Sequence, residues 1–203
     1  MTPRIVAHVG VIGSGKDYQS DKLVRDHGFV RLDFKDALID MCSDLVGHDI
    51  REYYDAFKRH SVGLPYYDDN SIMRQIAWQD DAEFLRRYPS VMTGRVLLQR
   101  LGTDVMRKRD PEYWVKQFKT RAHEIFMEGR SIACADCRFP NEIDAILGGK
   151  HAPEIKFCDY KSPRYDPFSS HGSERMAQKL LAMGLRDGEA ITLHHFRDMV
   201  KNP

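Results

Sequence analysis

Near the amino end, Gly10-Val-Ile-Gly13-Ser14-Gly15-Lys16 spells the pattern GxxxxGK. Glycines let a main chain wrap an anion without Cβ clashes, and the amide N–H groups of such a turn favour negative charge. A lysine at the end of the turn would reach the β- and γ-phosphates of a nucleotide. The residue after that lysine is usually Ser or Thr and ligates Mg²⁺; here it is Asp17. A carboxylate holds Mg²⁺ or its water shell, so Asp17 is expected to act through that ion. A plain acid in a helix's first turn is the alternative.

A second cluster is Asp136-Cys-Arg138-Phe-Pro-Asn-Glu142. Asp136 ends the apolar run 131–135. A strand-end carboxylate near a phosphate turn binds Mg²⁺, if need be through water, and an arginine two residues on grips a phosphate with two parallel N–H bonds. An Arg–Glu surface pair at a helix start is the competing reading. In a third stretch Arg95, Gln99 and Thr103 fall at i, i+4 and i+8 of an expected helix, with Asp104 alongside. Guanidinium, amide and hydroxyl suit a nucleotide phosphate and a base edge. A solvated charged helix face would show the same residues.

Apolar runs at 5–11, 29–33, 131–135, 154–158 and 190–193 read as strands. Helical spacing covers 16–27, 35–46, 91–107, 141–147, 173–183 and 194–200. Asp110-Pro111 supplies an N-cap and a first-turn proline for a helix running to Met127. Residues 51–88 read as helices joined by a loop at 63–70. Strands alternating with helices indicate an α/β fold, with a mostly parallel five-stranded sheet flanked by helices. Ligands then bind at the carboxyl ends of the strands. One domain is expected over 1–203, with a helical substrate-binding insertion at about 35–110.

With 42% apolar and 30% charged residues the chain has material for one solvated core. The formal net charge of +1 gives no field for nucleic acid or an anionic membrane surface, so neither is an expected partner. No run approaches the 18–20 or so apolar residues of a membrane helix. The opening MTPRIVAHVGVIG lacks a signal-peptide layout, and a cytoplasmic location is expected. Cys134 and Cys137 form a CxxC, but Cys42 and Cys158 stand alone, which favours buried thiols over zinc or redox chemistry.

Five segments together resemble the bacteriophage deoxynucleoside monophosphate kinase family: GSGKD at 13–17, LLQRLGTDVMR at 97–107, DPEYW at 110–114, DCRFPNE at 136–142 and HGSE at 171–174. The likeness covers about residues 5–180. It implies a P-loop nucleoside monophosphate kinase-like fold, similar to adenylate kinase. It also implies transfer of the γ-phosphate of ATP, with Mg²⁺, to a deoxynucleoside 5′-monophosphate, supplying phage DNA precursors in the host cytoplasm. Arg95, Thr103, Trp114, Asp136, Arg138 and Glu142 match the family's substrate-binding or catalytic positions. His171, Ser173 and Glu174 match a motif on the substrate side. Two departures stand out: many relatives have GKDT where Tyr18 follows Asp17 here, and residues 185–203 match loosely.

The resulting expectation gives catalysis to Lys16, Asp17, Arg95, Asp136 and Arg138. Gly10, Gly13, Ser14, Gly15 and Lys16 would hold ATP, and Asp17 and Asp136 the Mg²⁺. Phe34, Lys35, Gln99 and Asp104 join the substrate side. Trp114 either stacks on the acceptor base or packs in the core. Arg164 sits in a lid-like loop at 160–172, which would exclude water. Two other functions stay open: a P-loop kinase for another phosphate acceptor, such as phosphomevalonate, and a non-catalytic ATP-binding regulator. A homodimer also stays open.

Overall fold

The computed structural model describes residues 2–11, 13–59, 61–63, 91–158, 172–192 and 195. Two compact units divide the chain. One comprises Met1–Phe34 with Val115–Pro203, and the other is Lys35–Trp114.

The first unit is built on a parallel sheet in the order β2-β5-β1-β6, formed by β1 (Ile5–Val9), β2 (Val30–Arg31), β5 (Ile132–Cys134) and β6 (Pro153–Phe157). β1 is buried at every residue, as suits an inner parallel strand covered on both faces. Its register runs Ile5 against Ile132 on one side and Ile5 against Pro153 on the other. Alternation then sorts the side chains between the two faces. Val6 and Ala133 meet Leu23 and Val24 of α1 (Lys16–His27). On the other face Ile5, Ala7, Val9, Ile132 and Cys134 meet three helices: α5 (Tyr113–Met127) through Val115 and Phe118, α6 (Pro140–Leu147) through Ile143 and Ile146, and α7 (Gly172–Ala182) through Leu180. The fold is thus α/β, with helices on both faces of a parallel sheet.

The expected fifth strand at 190–193 does not form among the described residues. Ala190 makes a single antiparallel bridge to Lys156. Gly188 N–H donates to Phe157 O, Phe157 N–H to Glu189 O and Ile191 N–H to Ile155 O. This short segment follows a turn closed by Glu189 N–H on Arg186 O. It covers the open edge of β6 without extending the parallel sheet.

In the second unit α2 (Asp36–Val46) and α3 (Tyr54–Phe57) precede an antiparallel pair, β3 (Ser61–Gly63) with β4 (Val91–Thr93). α4 (Gly94–Gln99) and a π-helix (Arg100–Arg107) follow. Ile39, Cys42, Leu45, Ile50, Phe57, Leu97, Leu101 and Val105 form its core. The single helix expected over 91–107 is therefore divided in three. Thr93 stays extended and its Oγ1 accepts the amide of Val96, fixing the helix start at Gly94. Farther on, the indole N–H of Trp114 donates to Gly102 O at 2.9 Å, inside the π-helix. The antiparallel pair was not foreseen, because each partner is only three residues long. The expected 63–70 loop beyond Gly63, the helix after it, the lid-like loop with Arg164, His171 and most of the last helix lie outside the described residues.

Candidate phosphate site at the strand ends

The connection leaving β1 runs outward to β2 at one edge; the next connections return to β5 and cross to β6. The winding direction reverses at β1, so its carboxyl end is the switch point where α/β sheets bind ligands. The glycine turn stands there. A Cβ on Gly10 would lie 2.3 Å from Cys158 O and 2.2 Å from Ser14 Oγ, so only glycine fits between the ends of β1 and β6. Gly13 and Gly15 hold φ of 78° and 83°, the left-handed region where a side chain is strained. Ser14 N–H donates to Val11 O at 3.1 Å, and the Lys16 ammonium folds back onto the same carbonyl at 3.0 Å. Lys16 is buried, and so is Ser14, whose Oγ has no hydrogen-bond partner among the described residues. α1 starts at Lys16 without a side-chain cap, leaving its first-turn amides to whatever the turn holds.

Two buried carboxylates lie at the neighbouring strand ends. Asp33 Oδ1 accepts Ala135 N–H at 2.7 Å, and Asp136 Oδ1 accepts Phe34 N–H at 2.7 Å. Leu32 N–H to Ala133 O is the last main-chain rung between β2 and β5. Beyond it the two carboxylates replace the ladder, each taking the amide that the parting strands expose. Both are about 4% exposed. Cys134 Sγ lies 3.6 Å from Asp136 Oδ1, and Asp33, Cys134 and Asp136 bring their ligand atoms within 4.8 Å of one another. Burial pushes the Cys134 thiol well above its ordinary range, with Asp136 adding to the effect. All four cysteines are buried and free, Cys42 pushed up to about 12 and Cys158 to about 11 by burial.

Arg31 joins these parts. Its Nε and Nη2 donate to Asp33 Oδ2 at 3.0 and 2.8 Å. Nη2 also meets Asp17 Oδ1 at 2.9 Å, and Nη1 meets Asp21 Oδ1 at 2.5 Å. Burial works against the guanidinium charge, but Asp33 and then Asp17 outweigh it and hold the pKa above its usual value. Neither Arg31 nor Asp33 was singled out in the sequence. The available signal was that Asp33 closes a strand, as Asp136 does.

Arg138 is half-buried, and its amide donates to Glu142 Oε2 at 2.6 Å. Glu142 also takes Phe139 N–H at 3.0 Å, so this buried acid caps α6 from its third position. Phe139 has no side-chain acceptor to return the bond. Phe34 is buried and stacks on Phe118 at 4.0 Å, the place of a core ring. In the other unit, Trp114 is 2% exposed and edge-on to Tyr113. It offers no open face to a base. Lys35 precedes α2 and is half-buried; Arg95, Gln99, Thr103 and Asp104 are exposed on α4 and the π-helix. Ser173 and Glu174 lie in α7.

Gly10, Gly13, Ser14, Gly15, Lys16, Asp17, Phe34, Asp136, Arg138 and Glu142 thus belong to one unit, and Lys35, Arg95, Gln99, Thr103, Asp104 and Trp114 to the other. The turn suits a polyphosphate through two glycines in the left-handed region, an uncapped helix start and a lysine. The carboxylate of Asp17 beside it is a hard oxygen donor of the kind Mg²⁺ takes. No helix among the described residues is long and apolar enough to cross a membrane. No protein-family model matches the sequence, and no curated protein matches it.

Proposed function

We propose that the protein is an ATP-dependent kinase of the P-loop type, moving the γ-phosphate of ATP onto a deoxynucleoside 5′-monophosphate. The observation that carries this reading is the glycine turn at the sheet's switch point, with Lys16 folded onto it and an uncapped helix behind it. The amides of the turn and Lys16 hold the β- and γ-phosphates. Asp17 holds Mg²⁺, which supplies neutralisation of phosphate charge. Asp33 and Asp136 fix the strand ends from which Arg138 starts, and Arg138 grips the acceptor phosphate. An acceptor phosphate oxygen attacks the γ-phosphorus, the bond to the β–γ bridging oxygen breaks, and ADP leaves. The acceptor is already anionic near neutral pH, so positioning and electrostatics suffice without a strong base. Arg95 and the exposed side chains of the second unit serve the acceptor nucleotide.

The test is ADP formation from ATP and Mg²⁺ with dAMP, dGMP, dCMP, dTMP, their ribo forms, hydroxymethylated pyrimidines and phosphomevalonate. Turnover with at least one deoxynucleotide is expected. Turnover with phosphomevalonate alone would move the reading to that acceptor. Tight ATP binding with no ADP from any acceptor would make the protein a nucleotide-binding regulator.

A further inference from the structure

Asp17 and Asp21 stand one turn apart on α1, an arrangement in which like charges repel. Asp33 adds a third carboxylate, and the structure sets one guanidinium among all three. The three are not held alike. Asp33 is buried and pinned by Ala135 N–H, whereas the Asp17 and Asp21 side chains are 63% and 65% exposed. Arg31 is thus anchored on Asp33 through Nε and Nη2, and its remaining reach goes to α1. The Asp17 carboxylate, next in sequence to Lys16, is drawn toward the end of β2.

Resting on the reading of the turn as a nucleotide site, we propose that Arg31 is a positioning residue that keeps Asp17 paired in the nucleotide-free protein and so lowers the affinity of this site for a free divalent cation. The ion then enters with the polyphosphate, whose negative charge makes up for the charge of Arg31. Without that guanidinium, the exposed carboxylates of Asp17 and Asp21 would stand one turn apart on α1, next to the buried Asp33, and would have lost the charge that Arg31 brings them. A divalent ion would fill that place before any nucleotide arrives. A lysine keeps the charge but has a single ammonium in place of the planar fork, so it cannot span the same three acids.

The experiment is a Mn²⁺ titration of the full chain without nucleotide, read by electron paramagnetic resonance of the free ion, on the wild type, Arg31→Gln, Arg31→Lys and Arg31→Gln/Asp17→Asn. Circular dichroism reports folding. Arg31→Gln is expected to bind Mn²⁺ about tenfold more tightly, since a unit charge near 3–4 Å opposes a dication even in partly screened surroundings. Arg31→Lys should show a smaller gain, and the double variant should return to the wild-type value. Equal Mn²⁺ affinity in wild type and Arg31→Gln overturns the proposal, as does a gain that Asp17→Asn leaves in place. If only Arg31→Gln fails to fold, an unchanged Arg31→Lys overturns it. If both fail, Arg31 serves the fold alone and the proposal is lost. Failure of every deoxynucleotide to give ADP would remove the kinase reading, yet these titrations would still show whether Arg31 holds the ion off.

Discussion

The strand-end cluster of the first unit and the helical face of the second hold their charged side chains in opposite ways. Around β1, Lys16, Asp33, Asp136 and Glu142 are buried, and each has a main-chain partner. On α4 and the π-helix, Arg95, Gln99, Thr103 and Asp104 are exposed. Groups that stabilise charge in a transition state act best when fixed in advance, because no reorganisation is then needed during reaction. Groups that recognise a substrate tolerate more freedom and close on it as it binds. Under the proposed kinase reading, the contrast would put chemistry in the first region and recognition in the second.

The largest effect that could break this contrast lies at Lys16. Lys16→Ala should lower kcat/KM by about 10³-fold, roughly 4 kcal/mol of transition-state stabilisation, with most of the fall in kcat. A coupled ADP assay checks it, and activity within tenfold of wild type would take the chemistry away from the turn. Arg138→Ala should cost about 10²-fold, near 3 kcal/mol, in a protein that still folds, because the contact to Glu142 runs through the Arg138 amide, which alanine keeps. Near-normal turnover in that variant would remove Arg138 from the site.

Punctuation explains why α1 was legible. The glycines flanking Lys16–His27 set both of its ends, and the sequence reading placed it at those bounds. β1 was legible as an apolar run ending in glycine. The phosphate turn could be read because its residues are contiguous. Arg31 could not, since its three acids come from α1 and the end of β2, and only the fold brings them to one guanidinium. The π-helix was hidden as well. It differs from an α-helix in its main-chain i→i+5 bonds, and the apolar spacing within 100–107 does not record them. The expected fifth strand had the right composition, but its segment runs antiparallel along β6 after a tight turn, and pairs only briefly.

A pH measurement sharpens the comparison further. His8 is buried in β1, with Nδ1 2.8 Å from Ser20 Oγ on α1. Burial, followed by the charges of Lys156 and Arg31, lowers its pKa from 6.5 to about 4. The unfolded chain takes up a proton between those values while the folded chain does not. The His8 contribution is therefore complete above about pH 6.5 and is lost as pH falls toward 4, on the order of 3 kcal/mol in all. Urea unfolding at pH 7 and pH 4.5 should show this loss in the wild type and a smaller one in His8→Asn. Equal losses would mean that other groups set the acid sensitivity, and that the tie between α1 and β1 does not depend on a neutral imidazole.

The smallest expected effect tests the second unit. Trp114→Phe keeps an aromatic ring but removes the N–H that Gly102 O accepts, leaving a carbonyl in a buried residue one partner short. The cost should be about 1–2 kcal/mol, seen as a lower Tm. Since the indole is 2% exposed, KM for the deoxynucleotide should change less than about threefold, through slight loosening of the π-helix that bears Thr103 and Asp104. Arg95→Ala supplies the opposite pattern. Its side chain is exposed, so stability should stay within about 0.5 kcal/mol while KM for the acceptor rises. If Trp114→Phe instead raised KM tenfold at unchanged Tm, the indole would belong on the acceptor base. Recognition in this unit would then rest on a buried ring that substrate must uncover, and the division between a fixed catalytic region and an open recognition face would have to be redrawn.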